Sequence, residues 1–212
     1  MTIRGKLVAA IALTVIGPVV TIGVALAAFG SLGDHSDAVR RAGDRQARAL
    51  ELKFAVTDMN GWQTAYGYDG GRSRPEFEAA AERTKAQLEA AQATLRTPRE
   101  QALLRELGEA FDAFMELDAK AYAALQAGRE GEVRRIFLGP EIRNFDAMAR
   151  AADRLAAEED RRAAAAAREF DDARTTARRE LVAVGIGAAV VIVLLLLTAQ
   201  DVVRLALERR AT

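Results

Sequence analysis

LVAVGIGAAVVIVLLLLTA, residues 181–199, carries no charged side chain, and neither does LVAAIALTVIGPVVTIGVALAAFG at residues 7–30. A helix that crosses a bilayer needs about 20 apolar residues at roughly 1.5 Å of rise each, and both stretches meet that length. Nothing between them comes close. The order that follows is an N-terminus (1–6), a first transmembrane helix (7–30), a soluble segment (31–180), a second transmembrane helix (181–199) and a short tail (200–212).

Basic residues collect on the cytoplasmic side of a span because positive charge resists translocation. Arg4 and Lys6 precede the first stretch, and Arg204, Arg209 and Arg210 follow the second. Both termini are therefore expected in the cytoplasm of a two-pass plasma-membrane protein, with residues 31–180 extracytoplasmic. Arg178 and Arg179 flank the second stretch on the other side, but a long translocated segment is largely exempt from the charge rule. A cleaved signal peptide competes with the first span, since Ala25-Leu26-Ala27 has the small-x-small form of a cleavage site. Its apolar run exceeds the usual signal-peptide core, and a second span follows.

The chain holds 30 basic and 30 acidic residues and no cysteine. Five of the basic and two of the acidic residues lie in the terminal segments, leaving 25 against 28 in the middle. So small and interspersed an imbalance excludes a nucleic-acid-binding surface. A helical core large enough to be stable needs no disulfides in any compartment.

Between the spans, apolar residues recur at alternating steps of three and four, the seam of helices packed at shallow angles. One seam runs Phe77, Ala81, Thr84, Leu88, Ala91, Leu95; another runs Leu104, Leu107, Phe111, Phe114, Leu117, Ala121, Leu125. An earlier one passes Ala42, Ala49, Leu52, Val56, Met59 and Tyr66, interrupted by Gln63. The last, from Ala149 through Ala152, Ala156, Glu159 and Ala163 to Ala177, keeps step into the second span.

Gly70-Gly71 with Pro75 separates the first helix from the second. Thr97-Pro98-Arg99-Glu100 reads as a capping box with proline at the first helical position. Gly128 ends the third helix, a short amphipathic piece follows over residues 132–138, and Gly139-Pro140 opens the last. The fold expected is all-α: an antiparallel four-helix bundle between two transmembrane helices, its first and last helices continuous with the spans. Those two helices extend about 38 and 41 residues outside the membrane, roughly 57 and 61 Å. The middle two, about 22 and 30 residues by their seams, are too short to reach it. The first and last helices then form a two-stranded stalk, whose sparse alanine seam suits a partner copy.

This layout resembles the four-helix-bundle sensor domains of bacterial methyl-accepting chemotaxis receptors and related transmembrane signalling proteins. Asp58-Met59-Asn60-Gly61-Trp62-Gln63-Thr64-Ala65-Tyr66-Gly67-Tyr68-Asp69 is similar to a segment of the first bundle helix in such receptors, and Gly139 to Asp146 is loosely similar to the start of their fourth. The resemblance implies a homodimer and transmembrane signal transduction of chemotaxis type. Such receptors continue past the second span into a linker and an output domain, which residues 200–212 do not supply. A sensor that modulates another membrane receptor or signalling protein is expected, or the product of a truncated gene. The alternative is a membrane-anchored interaction or scaffold bundle in the cell envelope that has no small-molecule ligand.

Candidate ligand-binding residues centre on the only tryptophan. Asn60, Trp62, Gln63 and Tyr66 offer an apolar body with polar tips, as ligand pockets do, and Tyr122 with Arg143 or Asn144 is expected at the same height. The competing role is core and cap, with Trp62 filling the distal end and the polar groups facing water. Gly61 and Gly67 lower helix propensity with no turn to serve and so suggest close approach. His35, the only histidine, is expected solvated or interfacial rather than ligating a metal. Glu159 reads as a solvated flank, or as half of an ion pair buried across a dimer. No cofactor or metal site is expected, and no catalytic constellation is legible: there is no cysteine nucleophile, no serine–histidine pair and no phosphate loop.

Overall fold

The computed structural model describes residues 3–208, and all of the regular structure among them is helical. Helix α1 spans Ile3–Tyr68, α2 Arg74–Thr94, α3 Pro98–Gln126, α4 Glu130–Ile136 and α5 Ile142–Glu208. Arg209 and Arg210 lie outside the described residues, and of Arg4 and Lys6 only the helical backbone is described. The chain divides into two compact units, residues 40–165, and residues 1–39 together with 166–212.

The second of these units holds the two long apolar segments. Both are helices long and apolar enough to cross a membrane, and almost none of their described residues are buried within the chain. Val15, Val19, Leu26 and Phe29 on α1 are exposed, as are Ile186, Ile192, Leu196 and Leu197 on α5. Apolar side chains turned outward along a whole helix need an apolar solvent. In the same unit Ala28 and Ala177 are buried, and a shallow cleft is lined by Ala27, Ala28, Ser31 and His35 of α1 and by Ala173 and Ala177 of α5. The alanine seam of α5 is thus partly filled by its own chain. His35 Nδ1 donates to the Ser31 carbonyl at 2.7 Å, one turn back on the same helix.

Residues 40–165 enclose one hydrophobic core to which α1, α2, α3 and α5 all contribute. Every position of the seam from Phe77 to Leu95 is buried. On α3, Leu104, Leu107, Phe111, Phe114 and Ala121 are buried while Leu117 and Leu125 are half-buried. Cross-helix pairs run through the unit in steps. Between α1 and α5, Arg45 meets Glu159, Gln46 meets Asp160 and Lys53 meets Asp153, and Gln63 of α1 meets Glu141 just before α5 begins. Asp58 meets Arg83, and Ala55 accepts from the Thr84 hydroxyl, between α1 and α2. Glu106 meets Arg154, and Glu100 meets Arg162, between α3 and α5.

The ends of the helices follow from their capping residues. Gly70 (φ 72°) and Gly71 (φ 94°) take left-handed conformations that a β-carbon disfavours, and this stops α1. Asp69 then holds the next turn by accepting from the Ser73 backbone N–H and hydroxyl. Thr97 and Glu100 form the reciprocal capping box of α3, with Pro98 behind them. Between α4 and α5 the chain makes one wide turn over Phe137–Glu141, broken at Gly139 (φ −115°, ψ −105°).

Candidate functional site

A polar cluster is buried where α1, α2, α3 and the turn into α5 meet. Gln63 sits four residues after buried Met59 and three before buried Tyr66, so the α1 seam carries it into the core. Its amide donates to Glu141 Oε1 and, at 3.4 Å, to Asp118 Oδ1. The Tyr66 hydroxyl also donates to Asp118 Oδ1. Arg74, at the first turn of α2, reaches Asp118 Oδ2 at 2.6 Å and Glu78 Oε1 at 2.9 Å.

Aromatic rings enclose the Arg74 guanidinium, whose carbon lies 4.4 Å from the centre of Tyr122, 4.8 Å from Phe77 and 5.1 Å from Tyr66. Ring faces carry partial negative charge and stabilise a cation there, more so when water is excluded. Tyr66 in turn meets Phe77, Tyr122 and Phe137 edge to face, at 5.4 to 6.0 Å between ring centres.

Asp118 is paired with Arg74 and Glu141 is not. Burial, and then the neighbouring Asp118 carboxylate, push Glu141 up to about 8, against the smaller opposing pull of the Gln63 hydrogen bond and Arg74. At neutral pH Glu141 is mainly protonated, and its Oε2 has no hydrogen-bond partner among the described residues. Burial, with Asp118 adding to it, likewise raises Tyr66 above the ordinary phenol range. Burial alone would lower Arg74, but the hydrogen bond to Glu78 and the Asp118 charge outweigh it and raise it.

Beside the cluster lies a groove of about 720 Å³. Gln63 forms part of its wall with Asn60, Thr64, Gly67 and Tyr68 of α1; Leu125, Glu130, Val133 and Arg134 line it from the end of α3 and from α4, and Phe137, Leu138 and Ile142 from the turn into α5. Such a volume, mostly apolar with a few directed polar groups, suits a small organic molecule.

The structure brings together only some of the candidate residues. Asn60 and Gln63 line the groove, and Tyr66 and Tyr122 belong to the buried cluster beside it. Trp62 is half-buried and packs against the core, which fits the pocket and the core-and-cap role alike, but Gln63 and Tyr66 are buried rather than facing water as the latter expected. Arg143 is exposed and Asn144 half-buried, and neither lines the groove; the start of α5 supplies Ile142 instead, while Glu141, at the end of the preceding turn, belongs to the buried cluster. Gly67 does allow close approach, since a β-carbon there would stand 2.5 Å from Cε2 of Phe137. Gly61 does not, because a β-carbon there would meet nothing within 4 Å.

The residues missing from the sequence reading are Arg74, Asp118 and Glu141. Asp118 carried a signal, standing four residues after Phe114 and three before Ala121, a core position for a charged side chain.

A second charged cluster ties α1, α3 and α5 together toward the other end of this unit. Glu100 and Glu159 are fully buried, and each accepts from both Arg45 and Arg162. Glu159 is therefore neither a solvated flank nor half of a pair between copies, since its cationic partners lie in its own chain. Burial, then repulsion from Arg45 and Arg99, lowers Arg162 from its ordinary value. The Glu100 carboxylate also closes the Thr97 cap.

No family model, curated protein or solved structure matches this chain.

Proposed function

We propose that the chain is a membrane-anchored sensor module of chemoreceptor type, crossing the plasma membrane twice with both termini cytoplasmic and residues 31–180 extracytoplasmic. In it, four helical segments form an antiparallel bundle, and two copies associate in the membrane. The descending order of partners (Glu159 and Asp153 on α5, then Glu141 just before it) against the ascending order along α1 (Arg45, Lys53, Gln63) supports the antiparallel arrangement.

One observation carries the sensor role. The groove and its buried cluster join Gln63 of α1 to Ile142 of α5 and to Glu141 immediately before it, and these two helices also contain the apolar segments. A ligand that orders the groove therefore acts directly on both helices that lead to the bilayer. Shifting one relative to the other requires only that it bind the two arrangements with different affinity.

A melting screen of amino acids, organic acids and small aromatics on the full chain in lipid nanodiscs, with Trp62 emission as a second signal, tests this. Binding to the folded state alone stabilises by RT ln(1 + [L]/Kd), about 2.7 kcal/mol at a hundredfold excess over Kd. A stabilising compound whose effect disappears in Asn60→Ala or Thr64→Ala, with the unliganded melt unchanged, supports the sensor. Failure of every class to shift the melt favours the scaffold that binds a protein partner.

A further inference from the structure

Arg174, Arg178 and Arg179 stand just before the second apolar segment, on the side that the charge rule leaves poor in positive charge, and all are exposed. Arg174 and Arg178 open onto a cleft of about 870 Å³ walled by Thr175, Leu181 and Val182 of α5 and by Leu32 of α1. A more apolar cleft beside it shares Thr175, Arg178 and Val182 and continues along the span to Ala183 and Ile186. Val182 and Ile186 are exposed.

The charges along this part of α5 are sorted by face. Glu169, Asp172 and Glu180 line a different cleft, with His35 of α1. Arg174 and Arg178 share theirs with one acid, Asp171. Counted from Leu181, Arg178 stands roughly 4 Å, Arg174 roughly 10 Å and Asp171 roughly 15 Å from the apolar segment. The polar layer of one leaflet is about 5–7 Å thick, so Arg178 lies within it, Arg174 at its outer edge and Asp171 beyond it.

The donors of this cleft are also free. Arg45, Arg74, Arg83, Arg154 and Arg162 are each held by a carboxylate, whereas Arg174 and Arg178 have no hydrogen-bond or ion-pair partner among the described residues. Thr21, Thr57, Thr64 and Thr94 return their hydroxyls to the carbonyl one turn back. The Thr175 hydroxyl makes no such bond among the described residues.

We infer that this cleft binds an anionic phospholipid of the leaflet on the side of residues 31–180. Its phosphate lies between the Arg174 and Arg178 guanidinium groups, with the Thr175 hydroxyl donating to it, and one acyl chain runs along Val182 and Ile186. A guanidinium presents two parallel N–H donors that match phosphate oxygens. The apolar half of the site is the outer wall of the span itself, so an occupant needs an acidic head and an apolar tail. The inference rests on the two-pass membrane reading and is independent of any ligand in the groove beside Gln63.

The full chain in nanodiscs of equal parts phosphatidylglycerol and phosphatidylcholine, released into mild detergent for native mass spectrometry, shows which lipid it keeps. The native chain should retain one phosphatidylglycerol per copy, favoured over phosphatidylcholine roughly thirtyfold by two arginines near an anionic headgroup. Arg174→Gln combined with Arg178→Gln should erase the preference, with circular dichroism and membrane recovery unchanged because both side chains are exposed and unpaired. Arg168→Gln makes the same kind of charge change roughly 20 Å from the span and should keep it. Equal retention of the two lipids by the native chain, a preference that survives the double substitution, or its loss in Arg168→Gln would each overturn the site. Displacement of the lipid by millimolar glycerol phosphate would overturn the lipid in favour of a soluble phosphate compound. Recovery of the chain in the soluble fraction would overturn the site together with the membrane reading, which the other outcomes leave standing.

Discussion

Gln63 donates to one oxygen of Glu141, and the other oxygen of the same carboxyl is buried with no partner. A group so placed is tolerable when protonated and costly when ionised, because it is buried and because the Asp118 carboxylate, itself paired with Arg74, repels its charge.

Stability should therefore fall as pH rises. Glu141 titrates near 4.5 when unperturbed and near 8 in the folded chain. The stabilisation its proton provides is complete below about 4.5 and is lost as pH rises through about 8, at no more than about 1.4 kcal/mol per pH unit. Melting curves from pH 4.5 to 8.5 should show this decline in the native chain, and Glu141→Gln should flatten it. A decline of equal slope in both would assign the effect to other groups.

Gly67 and Phe137 form the tightest packing beside the groove. Gly67→Ala places a methyl group in the Phe137 ring, and overpacking of this kind costs about 1–3 kcal/mol, less about 1 kcal/mol from better helix propensity. Adding Phe137→Leu should recover most of the loss. Simple additivity of the two substitutions, measured by urea unfolding, would mean that the ring moves aside freely.

The Glu100 cluster should dominate the stability of the other end of the same unit. Glu100→Ala removes a buried acceptor from Arg45 and Arg162 and opens the α3 cap, for a loss of about 3 kcal/mol. Arg154→Ala breaks an exposed pair with Glu106 and should cost well under about 1 kcal/mol. Similar losses for the two would show that the buried cluster is screened by water.

The helices, their seams and their caps were legible because they are local properties. The capping box at Thr97, the glycine stop at Gly70 and the seam from Phe77 to Leu95 each need only neighbouring residues to be read. The buried polar groups were not, although their positions were. Asp118, Glu100 and Glu159 each lie three or four residues from a buried apolar neighbour, but a charge at a core position is stable only if a partner arrives from another helix. For Asp118 that partner is Arg74, 44 residues away, and for Glu159 it is Arg45, 114 residues away. Glu141 was hidden for a different reason: it ends the irregular turn over Phe137–Glu141, broken at Gly139, a backbone geometry with no periodic signature.

Cysteine labelling in intact cells tests the two-pass anchored sensor most directly. Tyr68→Cys, at an 89 % exposed position, should react with a membrane-impermeant maleimide added outside the cell. A cysteine appended after Thr212 should react only once the cells are permeabilised. Labelling of both positions from the same side would contradict the account, as would recovery of the chain in the soluble fraction.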